Sequence, residues 1–120
     1  MAELNTLALA QLASVTVGMQ TVDGAQTLYT VPQGKIAYIT HVVVRDPTDS
    51  LAGGTDYDFT SWKQTVDLSS MTTADTDYML LSGSGTKYQE LAAGTAFRIM
   101  PSTGSTADAD ATVDVFGFLV

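Results

Sequence analysis

The chain has 120 residues, a formal net charge of -8 and only 15% charged residues, a size that fits one domain able to bury a core. With no cysteine it has neither disulfides nor thiolate metal sites. Five basic residues, Lys35, Arg45, Lys63, Lys87 and Arg98, are scattered along it. They form no basic patch to follow a phosphate backbone or an anionic membrane, which argues against nucleic-acid and membrane partners.

Residues 1–20 read as an N-terminal arm. Leu4, Leu7, Ala8, Gln11, Leu12 and Val15 fall near helical spacing, and Asn5 is a fitting cap. Ser14–Val17 alternates instead, so the arm is expected to run into a strand at Ser14–Met19. The arm carries Glu3 and no basic segment ahead of its short apolar run, so no secretory signal is expected, and no run is long enough to span a bilayer.

Residues 21–120 read as a β domain. Val22-Asp-Gly24 is a turn signal. Gln26–Val31 and Lys35–Arg45 flank Pro32-Gln33-Gly34 and predict a hairpin, because Pro presets φ and Gly accepts φ > 0. Alternation places Ala37, Ile39, His41 and Val43 on one face of the second strand, and Tyr38, Thr40, Val42 and Val44 on the other. Both faces are substantially apolar, so each needs cover, from a second sheet or from another subunit.

Further short strands are predicted at Asp56–Phe59, Gln64–Leu68, Asp77–Leu81, Lys87–Leu91 and Thr95–Met100, with turn residues between them. The last strand, Ala111–Val120, puts Val113, Val115, Gly117 and Leu119 on one side and Asp114, Phe116, Phe118 and Val120 on the other. Burying each Phe is worth about 2–3 kcal/mol, so something covers that second side. The order predicts an all-β fold, an antiparallel β-sandwich or jelly roll of about eight strands.

Catalytic and metal chemistry is hard to place on this chain. His41 is the one histidine and sits mid-strand, which fits a core or interface position better than a zinc ligand or triad member. Asp46/Asp49, Asp56/Asp58, Asp75/Asp77 and Asp108/Asp110 have spacings that suit calcium, but none completes an EF-hand loop. They read as turn formers or solvated strand residues. No catalytic residue, metal site or cofactor is assigned. Tyr57, Phe59 and Trp62 form an aromatic cluster that fits the edge of a core. Alternatively, Tyr57, Trp62 and Tyr88 form a stacking platform for sugars in a carbohydrate- or receptor-binding module.

Five segments in this order, Leu28-Tyr-Thr-Val-Pro-Gln-Gly-Lys35, Leu51-Ala-Gly-Gly-Thr-Asp-Tyr-Asp-Phe59, Trp62-Lys-Gln-Thr-Val-Asp-Leu68, Leu91-Ala-Ala-Gly-Thr-Ala-Phe97 and Ala111-Thr-Val-Asp-Val-Phe-Gly-Phe118, resemble small jelly-roll virion proteins of tailed phages. The resemblance covers residues 25–120. It implies a structural role without catalytic residues: a capsid decoration (cement) protein, a head fibre or a tail component, often a homotrimer. The leading expectation is a decoration protein on the outer surface of the head, bound to the major capsid protein and to itself. Val42, Val44, Phe116 and Phe118 are the expected subunit contacts, and Leu4, Leu7, Leu9 and Leu12 the expected capsid-docking residues.

Overall fold

The computed structural model describes residues 9–62, 65–72, 78–82 and 89–120. Eight strands follow one another: β1 (Ala10–Gly18), β2 (Gln26–Thr30), β3 (Ala37–Arg45), β4 (Asp56–Phe59), β5 (Tyr78–Ser82), β6 (Gln89–Leu91), β7 (Ala96–Thr103) and β8 (Asp110–Leu119). The larger sheet runs β1-β8-β3-β5, with β6 also paired to β3, and the smaller runs β2-β7-β4. Every pairing is antiparallel. A bridge from Tyr57 to Val66 extends the smaller sheet past β4. The expected strand at Gln64–Leu68 is reduced to that bridge within the described residues. The fold is the expected all-β sandwich.

Among the described residues, no two strands adjacent in sequence pair with each other. The expected hairpin around Pro32-Gln33-Gly34 is therefore a crossover between sheets. On one side, Val31 N–H donates to the Thr95 carbonyl at 3.0 Å and Gly94 N–H to the Val31 carbonyl at 2.8 Å, which prolongs β2–β7. On the other, Ile36 and Val120 exchange bonds of 3.0 and 2.9 Å, which prolong β3–β8. Between them Lys35 N–H reaches the Pro32 carbonyl at 3.2 Å, so Pro32 opens the turn and Gly34, at φ 77°, takes its left-handed position. Turn chemistry bends the chain without specifying the sheet it enters. The strand faces make that choice: β3 needs neighbours on both edges and takes a central place, whereas β2, with only Leu28 buried, lies at an edge.

The N-terminal region also departs from expectation. Strand begins at Ala10, so residues 10–15 are not helical, and Ala10–Gly18, an edge strand of the sandwich, takes in most of the strand expected at Ser14–Met19. Its Leu12, Ala13 and Val15 pack against the core. Pairing with β8 overrides a weak helical preference, because an edge strand gains both ladder bonds and one buried face.

A register shift between Ile39 and His41, opposite Gly117 and Phe116, inverts the alternation of β3. Ala37 and Ile39 face the core before the bulge, and Val42 and Val44 after it, all four fully buried. The bulge requires glycine on the facing strand, since a Cβ at Gly117 would run into the Tyr38 carbonyl oxygen. The core between the sheets includes Val17, Leu28, Ile39, Phe97, Ile99, Val113 and Val115. Loop residues Leu51, Leu68 and Met71 close it, tied by Leu51 N–H to the Met71 carbonyl at 2.8 Å and Leu68 N–H to the Gly54 carbonyl at 2.9 Å.

Candidate interaction face

Residues that point away from the core on β1, β8 and β3 make one continuous surface. The ladder sets them in rows: Gln11, Phe116 and His41; Ser14, Asp114 and Val43; Thr16, Thr112 and Arg45. Tyr38 lies opposite Phe118. The bulge in β3 brings His41 to this side. Its ring stacks on Phe116 with centroids 4.6 Å apart and planes 7° from parallel. Thr40 Oγ1 locks the pair, donating to the Phe116 carbonyl at 3.2 Å and meeting His41 Nδ1 at 2.9 Å. Tyr38, His41, Phe116 and Phe118 are each half-buried.

Beside the aromatic row lies the carboxylate of Asp114, buried on an open sheet face. Ser14 Oγ donates to it at 2.6 Å and Arg45 Nε at 2.8 Å. Arg45 Nη1 also reaches Asp46 at 2.7 Å. Burial acts to raise the Asp114 carboxyl, but hydrogen bonds from Arg45 and Ser14 and the charge of Arg45 outweigh it and hold the group below its ordinary value. The ion pair neutralises the centre of the face. What remains beside it is a flat aromatic strip with rings held by stacking and hydrogen bonds, the kind of preordered anchor that apolar partners use.

The opposite outer face, on the smaller sheet, differs in kind. Asp56 and Asp58 alternate with the buried Tyr57 and Phe59 on β4. Ser102 Oγ donates to Asp58. A shallow open depression nearby is lined by Ala25, Asp58, Phe59, Thr60, Arg98 and Met100. Burial first, then the neighbouring Asp58, raises the Asp56 carboxyl above its ordinary value.

The predicted site residues separate by position. Phe116 and Phe118 stand on the outer face. Val42 and Val44 do not; they are fully buried within the single chain and cannot form a subunit contact, because the bulge turned their side of β3 inward. Tyr57 and Trp62 are likewise withdrawn from any sugar platform, since both belong to the core. The Tyr57 hydroxyl donates to the Met19 carbonyl at 2.8 Å, and burial pushes its phenol up against the opposing effect of Ser105. Trp62 packs on Phe59 at 5.0 Å and Phe97 at 5.9 Å. Leu9 is 53% exposed and Leu12 half-buried. Leu4, Leu7, Tyr88 and the Asp75/Asp77 pair lie outside the described residues.

Sequence reasoning missed the Ser14–Asp114–Arg45 network and the membership of Tyr38 and His41 in the face. One signal was available: Asp114 is a lone carboxylate between Val113 and Val115, and a charge in an apolar strand calls for a cation.

No family model and no curated protein matches the chain. Among solved structures, a chain of the cyanophage Pam1 capsid asymmetric unit is similar, with a TM-score of 0.53 and 19% identity. The match covers 92% of this chain and 81% of that one. The two share a fold.

Proposed function

We propose that this chain is a non-enzymatic virion structural protein of a tailed phage, a decoration protein that binds the outer surface of the head and stabilises it. The observation that carries the reading is the shared fold, along nearly the whole chain, with a chain of a phage capsid asymmetric unit. The aromatic strip of the larger sheet supports it, since a protein that works by contact needs rigid apolar anchors outside its own core.

On this reading Phe116 and Phe118, with Tyr38 and His41, are contacts to neighbouring copies in a homotrimer. Leu4, Leu7 and the exposed Leu9 dock on the major capsid protein. The action is clamping: many copies bury apolar surface across the joints of the shell and resist its internal pressure. The acidic remainder of the surface keeps the particle soluble.

Immunogold electron microscopy of particles from a lysate of the source, using an antibody to this protein, tests the proposal. Even gold over the heads is the expected result. Gold confined to tails, or no gold on any particle, overturns it. A second test removes residues 2–9, which leaves β1 whole. The shortened protein is expected to fold and to lose binding to shells; undiminished binding overturns the docking role of the leucines.

A further inference from the structure

We infer that β1 is a self-pairing edge, through which two copies of this chain join their larger sheets across a two-fold axis. The inference is independent of any role in a virion.

β1 ends the larger sheet, and among the described residues no strand lies on its outer side. The nine-residue strand has no proline and no charge. Residues 4–22 form the longest run in the chain without Asp, Glu, Lys or Arg. Edge strands normally carry such residues, because they block pairing with another chain. At a net charge of -8, two copies repel over most of their surfaces, and this neutral edge is where close approach costs least.

The direction of the free backbone groups can be read from one contact. The Gln26 amide clamps Gly18, its Oε1 accepting from Gly18 N–H and its Nε2 donating to the Gly18 carbonyl, both at 2.8 Å. Gly18 therefore points away from β8. Met19 N–H, one residue on, donates to the Ala109 carbonyl and so points the other way. Ser14, Thr16 and Gly18 share one continuous register with β8, so Ser14 and Thr16 also point outward. The Gln26 side chain fills the end of this edge as a strand would, and leaves the Ser14 and Thr16 groups open.

Those two open positions are symmetric about Val15. An antiparallel pair of β1 strands centred there sets Ser14 opposite Thr16 of the second copy, twice, in hydrogen-bonded positions. Hydroxyl side chains then meet on one face, a favourable cross-strand pair. On the other face Val15 meets its own copy, flanked by Ala13, and these partly buried residues gain the cover they lack. The symmetry makes a second copy the occupant that fits, because each strand offers what the other needs.

The native chain has no cysteine, so a Val15→Cys protein tests the geometry cleanly. Val15 and its copy form a non-hydrogen-bonded pair with Cα atoms about 4.5 Å apart, within reach of a disulfide. Mild oxidation is expected to give a covalent dimer on non-reducing gels, while Thr21→Cys gives none. In sedimentation beside the wild-type chain, Thr16→Pro is expected to lower the assembly mass at least twofold while its circular dichroism spectrum stays that of the folded chain. It removes only an N–H that faces away from β8. Thr16→Lys replaces it if the proline variant fails to fold. A wild-type chain that sediments as a monomer, a Val15→Cys protein that stays uncrosslinked, or an assembly mass unchanged in a folded Thr16 variant overturns the inference.

Discussion

The two outer faces of this sandwich use their carboxylates in opposite ways. On the larger sheet Asp114 is held by Arg45 and Ser14, and the rest of the face is aromatic. On the smaller sheet Asp56 and Asp58 crowd each other beside an open depression. Neutralising a buried charge on the first face frees it for apolar contact, whereas on the second face the two carboxylates have no ion-pair partner among the described residues and favour water. The difference teaches that the sandwich is one-sided: both sheets build the core, but the aromatic outer surface lies on one.

The comparison breaks most severely at Gly117. Gly117→Ala is expected to cost about 2–4 kcal/mol, because the new methyl group forces β8 from β3 at the bulge that turns His41 outward. Urea denaturation followed by tryptophan fluorescence measures the loss, and a variant as stable as wild type would remove glycine from the account of the bulge. Next in size is the effect on association. The double variant Phe116→Ala, Phe118→Ala is expected to weaken self-association at least tenfold, or about 1.4 kcal/mol, while Met100→Ala on the other face leaves it unchanged. Sedimentation of both variants side by side makes the test, and equal losses would abolish the distinction between the faces.

Acid titration sharpens the contrast. The folded value of the Asp114 carboxyl lies below its unfolded one, so its contribution is present above about pH 4 and is lost as pH falls through the folded value. Asp114→Asn is expected to flatten the acid side of a stability curve measured between pH 2.5 and 6. Asp56 has the reverse sign: its folded value is raised, so its contribution is present at low pH and lost as pH rises through that value. Asp56→Asn is accordingly expected to raise the melting temperature slightly at pH 7 and leave it unchanged at pH 3. A lowered melting temperature at pH 7 would show that the charge is compensated.

Much of the face was legible residue by residue and little of it as an arrangement. Phe116 and Phe118 could be placed outside because β8 alternates without interruption along their side. Alternation along β3 failed after Ile39, because one extra residue inverts every later side chain and nothing in a run of β-branched residues marks where it falls. That single shift sent Val42 and Val44 inward and brought His41 out. Tyr57 and Trp62 could be read as either buried or exposed, since an aromatic beside a turn suits both, and only the packing of Phe59 and Phe97 decides.

By itself the sequence determined the strand character of the chain, most of its turns and the acidic, cysteine-free surface, because these follow from side-chain type and short-range alternation. Which strands pair was decided by tertiary structure alone. Among the described residues no consecutive strands are partners, so each ladder joins segments apart in sequence, and Pro32-Gln33-Gly34 bends the chain equally well toward a hairpin or across the sandwich. Burial of the inner face of β3, with ladder partners on both its edges, settles that choice, and burial belongs to the assembled layers rather than to any one segment.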